Sequence, residues 1–175
     1  MWKILHQTFR QRWQKPKSIL DLEDERSVSF LELFYDLAYV AIVAQVGHSL
    51  VWHITPIAIL QFILLFAMLF WAWLNGTLYH ELHGNNDLRS RVFTFIQMIF
   101  LTWMGIFAHG AFGEMYQRFA WSYALFLMII WYLRWRTWVY DPLHKPLSTP
   151  YVSGFLITIM MFLLSIFVDN ITAYY

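Results

Sequence analysis

Long apolar stretches alternate with short polar breaks along the whole chain after its first 27 residues. A helix needs roughly 17–25 apolar residues to cross a hydrocarbon core about 30 Å thick. Five stretches meet that length, at about residues 28–51, 54–79, 92–112, 119–138 and 152–168. None shows the two-residue alternation of β-barrel strands. The pattern predicts an all-α integral membrane protein, a bundle of about five transmembrane helices spanning residues 28–175.

Prolines and glycines predict where the helices end. Pro56 suits the first turn of the second helix, because proline has no N–H to lose there. Prolines at 142, 146 and 150 break the chain before the fifth stretch. Since proline disrupts a helix interior, we expect the fifth helix to begin after them.

Composition supports a membrane protein and excludes several alternatives. Hydrophobic residues make up 59% of the 175 residues and charged residues only 13%, whereas a soluble domain is about a quarter charged. A chain this short cannot bury so much apolar surface in water. The net charge of +1 gives no field that would attract nucleic acid. Cysteine is absent, which excludes disulfides, thiolate metal sites and a cysteine nucleophile.

The first 27 residues form a separate polar and basic segment. Trp2, Leu5, Phe9 and Trp13 fall on one helical face, and basic residues surround it. This arrangement is typical of an amphipathic helix lying on an anionic membrane surface. A nucleic-acid-binding arm is the alternative, and the adjacent membrane span favours the interfacial helix.

The basic residues predict the orientation of the bundle. Six of the twelve Lys and Arg residues precede the first stretch, and all but one of the others lie in or near the even-numbered loops. Only Arg118 falls in a loop of the opposite parity. Positive residues concentrate in cytoplasmic loops. The N-terminus and the even-numbered loops are therefore expected in the cytoplasm.

Two carboxylates make the first stretch unusual. Glu32 and Asp36 lie one turn apart on a face shared with Tyr35 and Tyr39. Twelve Val, Leu, Ile and Phe residues in this stretch favour insertion by roughly 4–7 kcal/mol. A central aspartate costs about 2.5–3.5 kcal/mol, and the second acid adds to it. Because these terms nearly cancel, other helices should enclose the two acids.

Depth along the helices indicates partners for these acids. Asn75 and Tyr79 lie near the cytoplasmic end of the second helix, and Gln97 lies in the same half of the third. We predict an intramembrane polar cluster that binds a proton or an ion, or alternatively locks helices together. Its members are Glu32, Asp36, Tyr39, Asn75, Tyr79 and Gln97. Arg134 is a candidate ion-pair partner, although it also fits a basic residue flanking the membrane.

No catalytic motif accompanies this cluster. His80 and His83 are three residues apart, a spacing that can place two imidazoles on one face. The segment breaks at Gly84, however, and offers no further close ligand. We therefore expect no metal, no cofactor and no enzymatic activity, and a membrane-embedded enzyme acting on a lipid-linked substrate is the less favoured alternative.

Several motifs together resemble a known family. The first is Phe30-Leu31-Glu32-Leu33-Phe34-Tyr35-Asp36-Leu37. Others are Phe70-Trp71-Ala72-Trp73, Thr77-Leu78-Tyr79, the loop from Asn86 to Arg91, and Gln97-Met98. They are similar to the first three helices of the bacterial low temperature requirement A (LtrA) family, whose first helix carries an E-L-F-F/Y-D-L signature. The resemblance covers roughly residues 26–135.

The chain also differs from that family in three ways. Family members commonly carry paired aspartates where this chain has Asn86-Asp87. They carry an arginine in the first half of the fourth helix, where this chain has Leu127-Met128. They are commonly about twice as long. We therefore expect a short or partial member, which favours a homo-oligomer or a partner membrane chain.

The resemblance implies a multi-pass protein of the bacterial inner membrane, linked by its family name to growth in the cold. Together with the acid pair, it suggests a proton- or ion-coupled transporter or channel-like protein acting on an unknown small ion or solute. The alternative is a non-catalytic membrane scaffold or stress-adaptation component whose acids are structural. Expected partners are the lipid bilayer and other membrane chains, with no role for nucleic acid.

Overall fold

Five helices account for nearly all of the chain that the structure describes. This computed structural model describes residues 30–51, 54–83, 88–140 and 145–172. The helices are α1 (Phe30–Val51), α2 (Pro56–His83), α3 (Leu88–Ala108), α4 (Tyr116–Tyr140) and α5 (Lys145–Thr172). No strand occurs within these ranges. The predicted all-α class is confirmed, while the interfacial helix predicted for residues 1–27 lies outside the described residues.

Four of the helices are long and apolar enough to cross a membrane. Their candidate spans are Phe30–His48, Pro56–Glu81, Arg91–Ala108 and Ser148–Val168. The outward faces of these spans carry large exposed apolar side chains such as Ile57, Ile63 and Met161. A soluble monomer rarely exposes so extended an apolar surface. The chain is therefore a polytopic membrane protein.

The remaining helix, α4, lies at the centre of the bundle. It has 25 residues, of which 12 are buried, and it packs against α2, α3 and α5. It carries Arg118, Arg134 and Arg136 together with several Trp and Tyr residues. These residues lower its mean hydropathy below that of its neighbours. Because other helices surround α4, many of its polar groups face protein instead of lipid.

Short connections fix the direction of each helix. The connecting residues are 52–55, 84–87, 109–115 and 141–144, which are too few for anything but antiparallel neighbours. α1 packs between α2 and α3, α4 packs on α3, and α5 packs on α4. We call the end at which α1, α3 and α5 begin the basic end. Near it lie Arg89, Arg91, Arg134, Arg136 and Lys145.

α5 begins at Lys145, seven residues earlier than its apolar stretch predicts. Pro146 is harmless there, since the first N–H groups of a helix have no partner within it. Pro150 lies inside the helix and removes one backbone hydrogen bond. The Thr149 hydroxyl donates to the Lys145 carbonyl at 2.6 Å, and the Ser153 hydroxyl donates to the Thr149 carbonyl at 3.0 Å. The expectation that the helix begins after its prolines is therefore wrong.

Glycine permits the closest approach between α1 and α3. A Cβ at Gly105 would lie 2.9 Å from two carbons of Ile42, closer than such contacts occur. Small residues allow backbones to pack tightly in membranes, where dispersion contacts contribute much of helix association. This contact holds α1 against α3 beside the polar residues described next.

Candidate intramembrane polar site

Asp36 is joined to α2 by one hydrogen bond. The indole Nε1 of Trp73 donates to its Oδ1 over 2.8 Å. Both side chains are partly buried, and Asp36 lies six residues, or roughly 9 Å, into α1. A carboxylate in this position needs donors, because the surrounding hydrocarbon supplies none. The bond therefore ties α1 to α2 through an intramembrane acid.

Tyr39 holds the same indole from another side. Its ring stacks on that of Trp73 with the centroids 5.1 Å apart and the planes at 18°. Residues three apart share a helix face, so Asp36 and Tyr39 contact Trp73 together. The buried hydroxyl of Tyr39 has no hydrogen-bond partner among the described residues. We call Asp36, Tyr39 and Trp73 the carboxylate–indole cluster.

Tyr35 fills the space between this cluster and the centre of the bundle. Its side chain is 1% exposed, and its hydroxyl lies against Gly76, where a Cβ would collide with it. Its ring meets that of His80 edge-on, with the centroids 6.2 Å apart. Within the described ranges the hydroxyl has no hydrogen-bond partner. Gly76 is thus required for a close approach between α1 and α2.

A second polar group joins α2 to α3. Nε2 of His80 lies 3.2 Å from Oε1 of Gln97 and 3.2 Å from the hydroxyl of Thr94. All three side chains are buried, and Gln97 is fully so. The amide nitrogen of Gln97 has no partner in the described part of the chain. We call His80, Thr94 and Gln97 the histidine–amide cluster.

The other predicted site residues lie nearby but do not all join the acids. Asn75 is buried, and its amide donates to the Trp71 carbonyl of its own helix at 2.8 Å. It makes no hydrogen bond with Asp36 among the described residues. Tyr79 is buried with its ring 5.9 Å from that of His80, so it belongs beside the histidine–amide cluster. Glu32 lies half-buried in the first turn of α1.

Arg134 lies against a different helix from the one that carries the two acids. Its guanidinium carbon lies 4.6 Å from the centroid of the Tyr151 ring on α5. The hydrogen bond that Asp36 accepts comes from Trp73. Arg134 faces α5, while the two acids lie on α1, which packs between α2 and α3. An arginine stacked on an aromatic face is stabilised by the ring's quadrupole.

Two residues of these clusters, Trp73 and His80, were not among the predicted site residues. In the sequence Trp73 stands out only as part of the motif Phe70-Trp71-Ala72-Trp73, although an indole N–H is also a hydrogen-bond donor. His80 was weighed as a metal ligand and not as a partner of Gln97. A search for donors near the depth of Asp36 on α2 would have offered Trp73. Helix packing, however, decides which face of α2 is turned toward Asp36.

Apolar side chains close the bundle beyond the polar clusters. Leu69, Leu101 and Met104 are fully buried. At the end opposite the basic end, a cavity of about 360 Å³ lies between α1, α2 and the turn after α3. Gln61 and His109 contribute polar groups to its wall. In this conformation the apolar core separates that cavity from the carboxylate–indole cluster.

The fold and these clusters define a multi-pass helical membrane protein with a hydrogen-bonded acid inside its first span. The profile of the bacterial low temperature requirement A protein (LtrA) family matches residues 27–175. Because this match covers most of the chain, the protein belongs to the LtrA family. Comparison with curated proteins found no match, and comparison with solved structures found none.

Proposed function

We propose that the protein is a small proton- or ion-coupled transporter or channel-like protein in which Asp36 is the exchanging site. One observation carries this proposal. An ionised carboxylate offers about four acceptor positions, yet Asp36 accepts a single hydrogen bond from the described residues, that of Trp73. A partly buried charge that accepts so few hydrogen bonds is stabilised by a proton, a cation or water. The remaining positions are where such a species binds.

The rest of the bundle is compatible with a closed state of such a protein. The cavity of about 360 Å³ gives access from the end opposite the basic end. The apolar residues Leu69, Leu101 and Met104 then form a barrier between that access and Asp36. Movement of an ion across the membrane requires this barrier to open. A transporter that exposes its binding site to one side of the membrane at a time needs both an access cavity and such a barrier.

A flux assay tests this proposal directly. Purified protein in liposomes under a pH gradient should dissipate the gradient, and Asp36→Asn should abolish the flux. The asparagine keeps an acceptor oxygen for the indole but neither ionises nor releases a proton. Glu114→Gln is the matched control, since Glu114 is exposed in the turn between α3 and α4 and its loss should leave the flux intact. Equal flux from Asp36→Asn and the native protein would exclude Asp36 as the exchanging site.

A non-catalytic scaffold is the second candidate, and the Trp73 hydrogen bond favours it. This bond joins two helices, as expected of a structural polar lock. On this proposal no flux accompanies the native protein. Asp36→Leu then lowers stability by removing the acceptor, while Asp36→Asn retains most of it. Such a component would act in stress adaptation, with its loss apparent when lipids stiffen in the cold.

We further propose that the protein lies in the bacterial inner membrane with its N-terminus in the cytoplasm. Eleven of the twelve Lys and Arg residues lie in the N-terminal segment or in or near the even-numbered loops, and this distribution supports the orientation. The chain has no cysteine, so single cysteines report accessibility without background. Substitutions at 32, 36, 75, 79 and 97 should react with a membrane-impermeant reagent from one side if a water path reaches the site. Uniform protection would favour the scaffold.

The proposed partners follow from the same features. The bilayer surrounds the apolar faces, and a small ion or solute binds at Asp36. A second copy, or another membrane chain, covers part of the bundle. The proposal includes neither an enzymatic reaction nor a nucleic-acid partner.

A further inference from the structure

A groove opens between α2 and α5 on the outside of the bundle. Both helices pack on α4, and a cavity of about 420 Å³ remains between them. Sites for small molecules have volumes of about 300–1,000 Å³. Its lining is mostly apolar and includes Trp71 on α2 and Tyr151, Gly154, Phe155 and Thr158 on α5. The α5 residues lie within the candidate span Ser148–Val168, so the groove faces the acyl region of the bilayer.

Gly154 creates much of the free space in this groove. A Cβ built on it meets no atom within 4 Å. Glycine weakens a helix by about 0.5–1 kcal/mol relative to alanine. No neighbouring helix approaches Gly154, so close helix packing does not account for this glycine. The position instead leaves open space that a bound molecule can occupy.

A cationic side chain contacts one of the residues that line the groove. Arg134 is 7% exposed, and its guanidinium carbon lies 4.6 Å from the ring centroid of Tyr151, which lines the groove. Its Nε has no hydrogen-bond partner among the described residues. Arginine forms paired hydrogen bonds with phosphate groups. The site therefore combines an apolar groove with a nearby guanidinium whose Nε is free to donate.

The depths of these groups match a phospholipid in the leaflet at the basic end. Tyr151 lies six residues into α5 and Arg134 six residues before the end of α4, so both are roughly 9 Å from the basic end. Thr158 lies roughly 20 Å from that end. A lipid with its phosphate at Arg134 would extend its chain past Gly154 toward Thr158. Basic pockets between membrane helices commonly hold anionic headgroups.

We propose that this groove, which we call the lipid groove, binds one anionic phospholipid of the surrounding bilayer. Its acyl chain lies along Gly154 and Phe155, and its phosphate accepts hydrogen bonds from Arg134. The inference is independent of the exchanging role of Asp36. It assigns Arg134 a phosphate ligand as an alternative to the predicted carboxylate partner.

Native mass spectrometry of the purified full chain tests this proposal. The detergent-solubilised protein is titrated with phosphatidylglycerol and with phosphatidylcholine carrying the same acyl chains. One phosphatidylglycerol should bind about tenfold more tightly than phosphatidylcholine, because charge-assisted hydrogen bonds strengthen the anionic complex. Equal affinity of the native protein for the two lipids would overturn the assignment.

Two variants separate the headgroup from the acyl chain. Gly154→Leu should fill the groove and weaken the binding of both lipids about tenfold or more. Leucine has a higher helix propensity than glycine, so the variant should keep its fold. Arg134→Gln should remove the preference for phosphatidylglycerol. If that variant does not fold, Arg134→Lys keeps the charge but loses the paired geometry, and an intermediate preference is expected.

Ser153→Leu is the matched control. Ser153 is exposed and adjacent to Gly154, but it does not line the groove. The added side chain is of equal size and points away from the site, so binding should match that of the native protein. Equal losses in Ser153→Leu and Gly154→Leu would show adventitious binding only. Native binding in Gly154→Leu would refute the lipid groove.

Discussion

Gly76 is the position where a single methyl group should most clearly disturb the bundle. In Gly76→Ala the added Cβ would lie 3.1 Å from Cζ and 3.6 Å from Cε1 of Tyr35, with the hydroxyl closer than real Cβ contacts allow. Tyr35 cannot move aside easily, because it is 1% exposed and its ring abuts His80. The substitution must therefore push α1 away from α2.

The expected loss combines two opposing effects. Forcing an extra methyl group into a packed core costs about 1–3 kcal/mol. Replacing glycine by alanine within a helix gains about 0.5–1 kcal/mol. We therefore expect Gly76→Ala to lower the free energy of unfolding by about 0.5–2 kcal/mol. Unfolding by sodium dodecyl sulfate in mixed micelles, followed by circular dichroism, measures this change.

Removing the obstructing oxygen should restore most of the loss. Tyr35→Phe deletes a hydroxyl that has no partner within the described residues, so alone it should be nearly neutral. In the double variant Gly76→Ala with Tyr35→Phe, the tightest contact is gone. The coupling energy should be about 1 kcal/mol, typical of residues in direct contact.

Gly47→Ala serves as the control for helix propensity. A Cβ there would lie 3.8 Å from Phe62, an ordinary van der Waals distance. This variant should be neutral or slightly more stable than the native protein. Two results would refute this reasoning. One is that Gly76→Ala lowers the free energy of unfolding equally in the native background and in the Tyr35→Phe background. The other is that Gly47→Ala lowers it as much as Gly76→Ala.

Three further substitutions test other contacts. Trp73→Phe keeps a ring for stacking but removes the hydrogen-bond donor to Asp36. Unfolding in detergent should therefore show a free energy of unfolding lower by about 1–3 kcal/mol. This loss should be smaller in the Asp36→Leu background. Gly105→Ala should cost about 0.5–2 kcal/mol by the same assay, because its Cβ would overlap Ile42 while alanine improves helix propensity. An unchanged stability would contradict the close packing of α1 on α3. Tyr123→Phe removes a 3.3 Å hydrogen bond to the backbone of α2, and a melting measurement should detect a loss of about 0.5–1.5 kcal/mol.

Local patterns in the sequence were sufficient to predict that the chain forms membrane-spanning helices. The length of each apolar stretch depends only on consecutive residues, so it predicts a helix without knowledge of its neighbours. The acid at Asp36 could also be recognised, because its depth follows from a rise of 1.5 Å per residue. The signature around it likewise indicated the family.

The partners of the polar residues could not be read from the same patterns. Depth along a helix is a property of the sequence, but the rotation of that helix and the identity of its neighbour depend on packing. The chain therefore predicted Asn75 near Asp36, whereas the structure presents Trp73. It likewise offered Arg134 to the acids, although α4 turns this arginine toward Tyr151 on α5.

The amino-acid sequence thus determined that the described part of the chain forms five helices and that four of them are long and apolar enough to cross a membrane. Tertiary structure alone decided that α4 occupies the centre, that Gly76 admits Tyr35, and that a groove remains between α2 and α5. The physical reason is that the insertion of a helix into a membrane depends on the apolar residues within one continuous stretch. Hydrogen bonds and close contacts between helices depend instead on which helix faces meet.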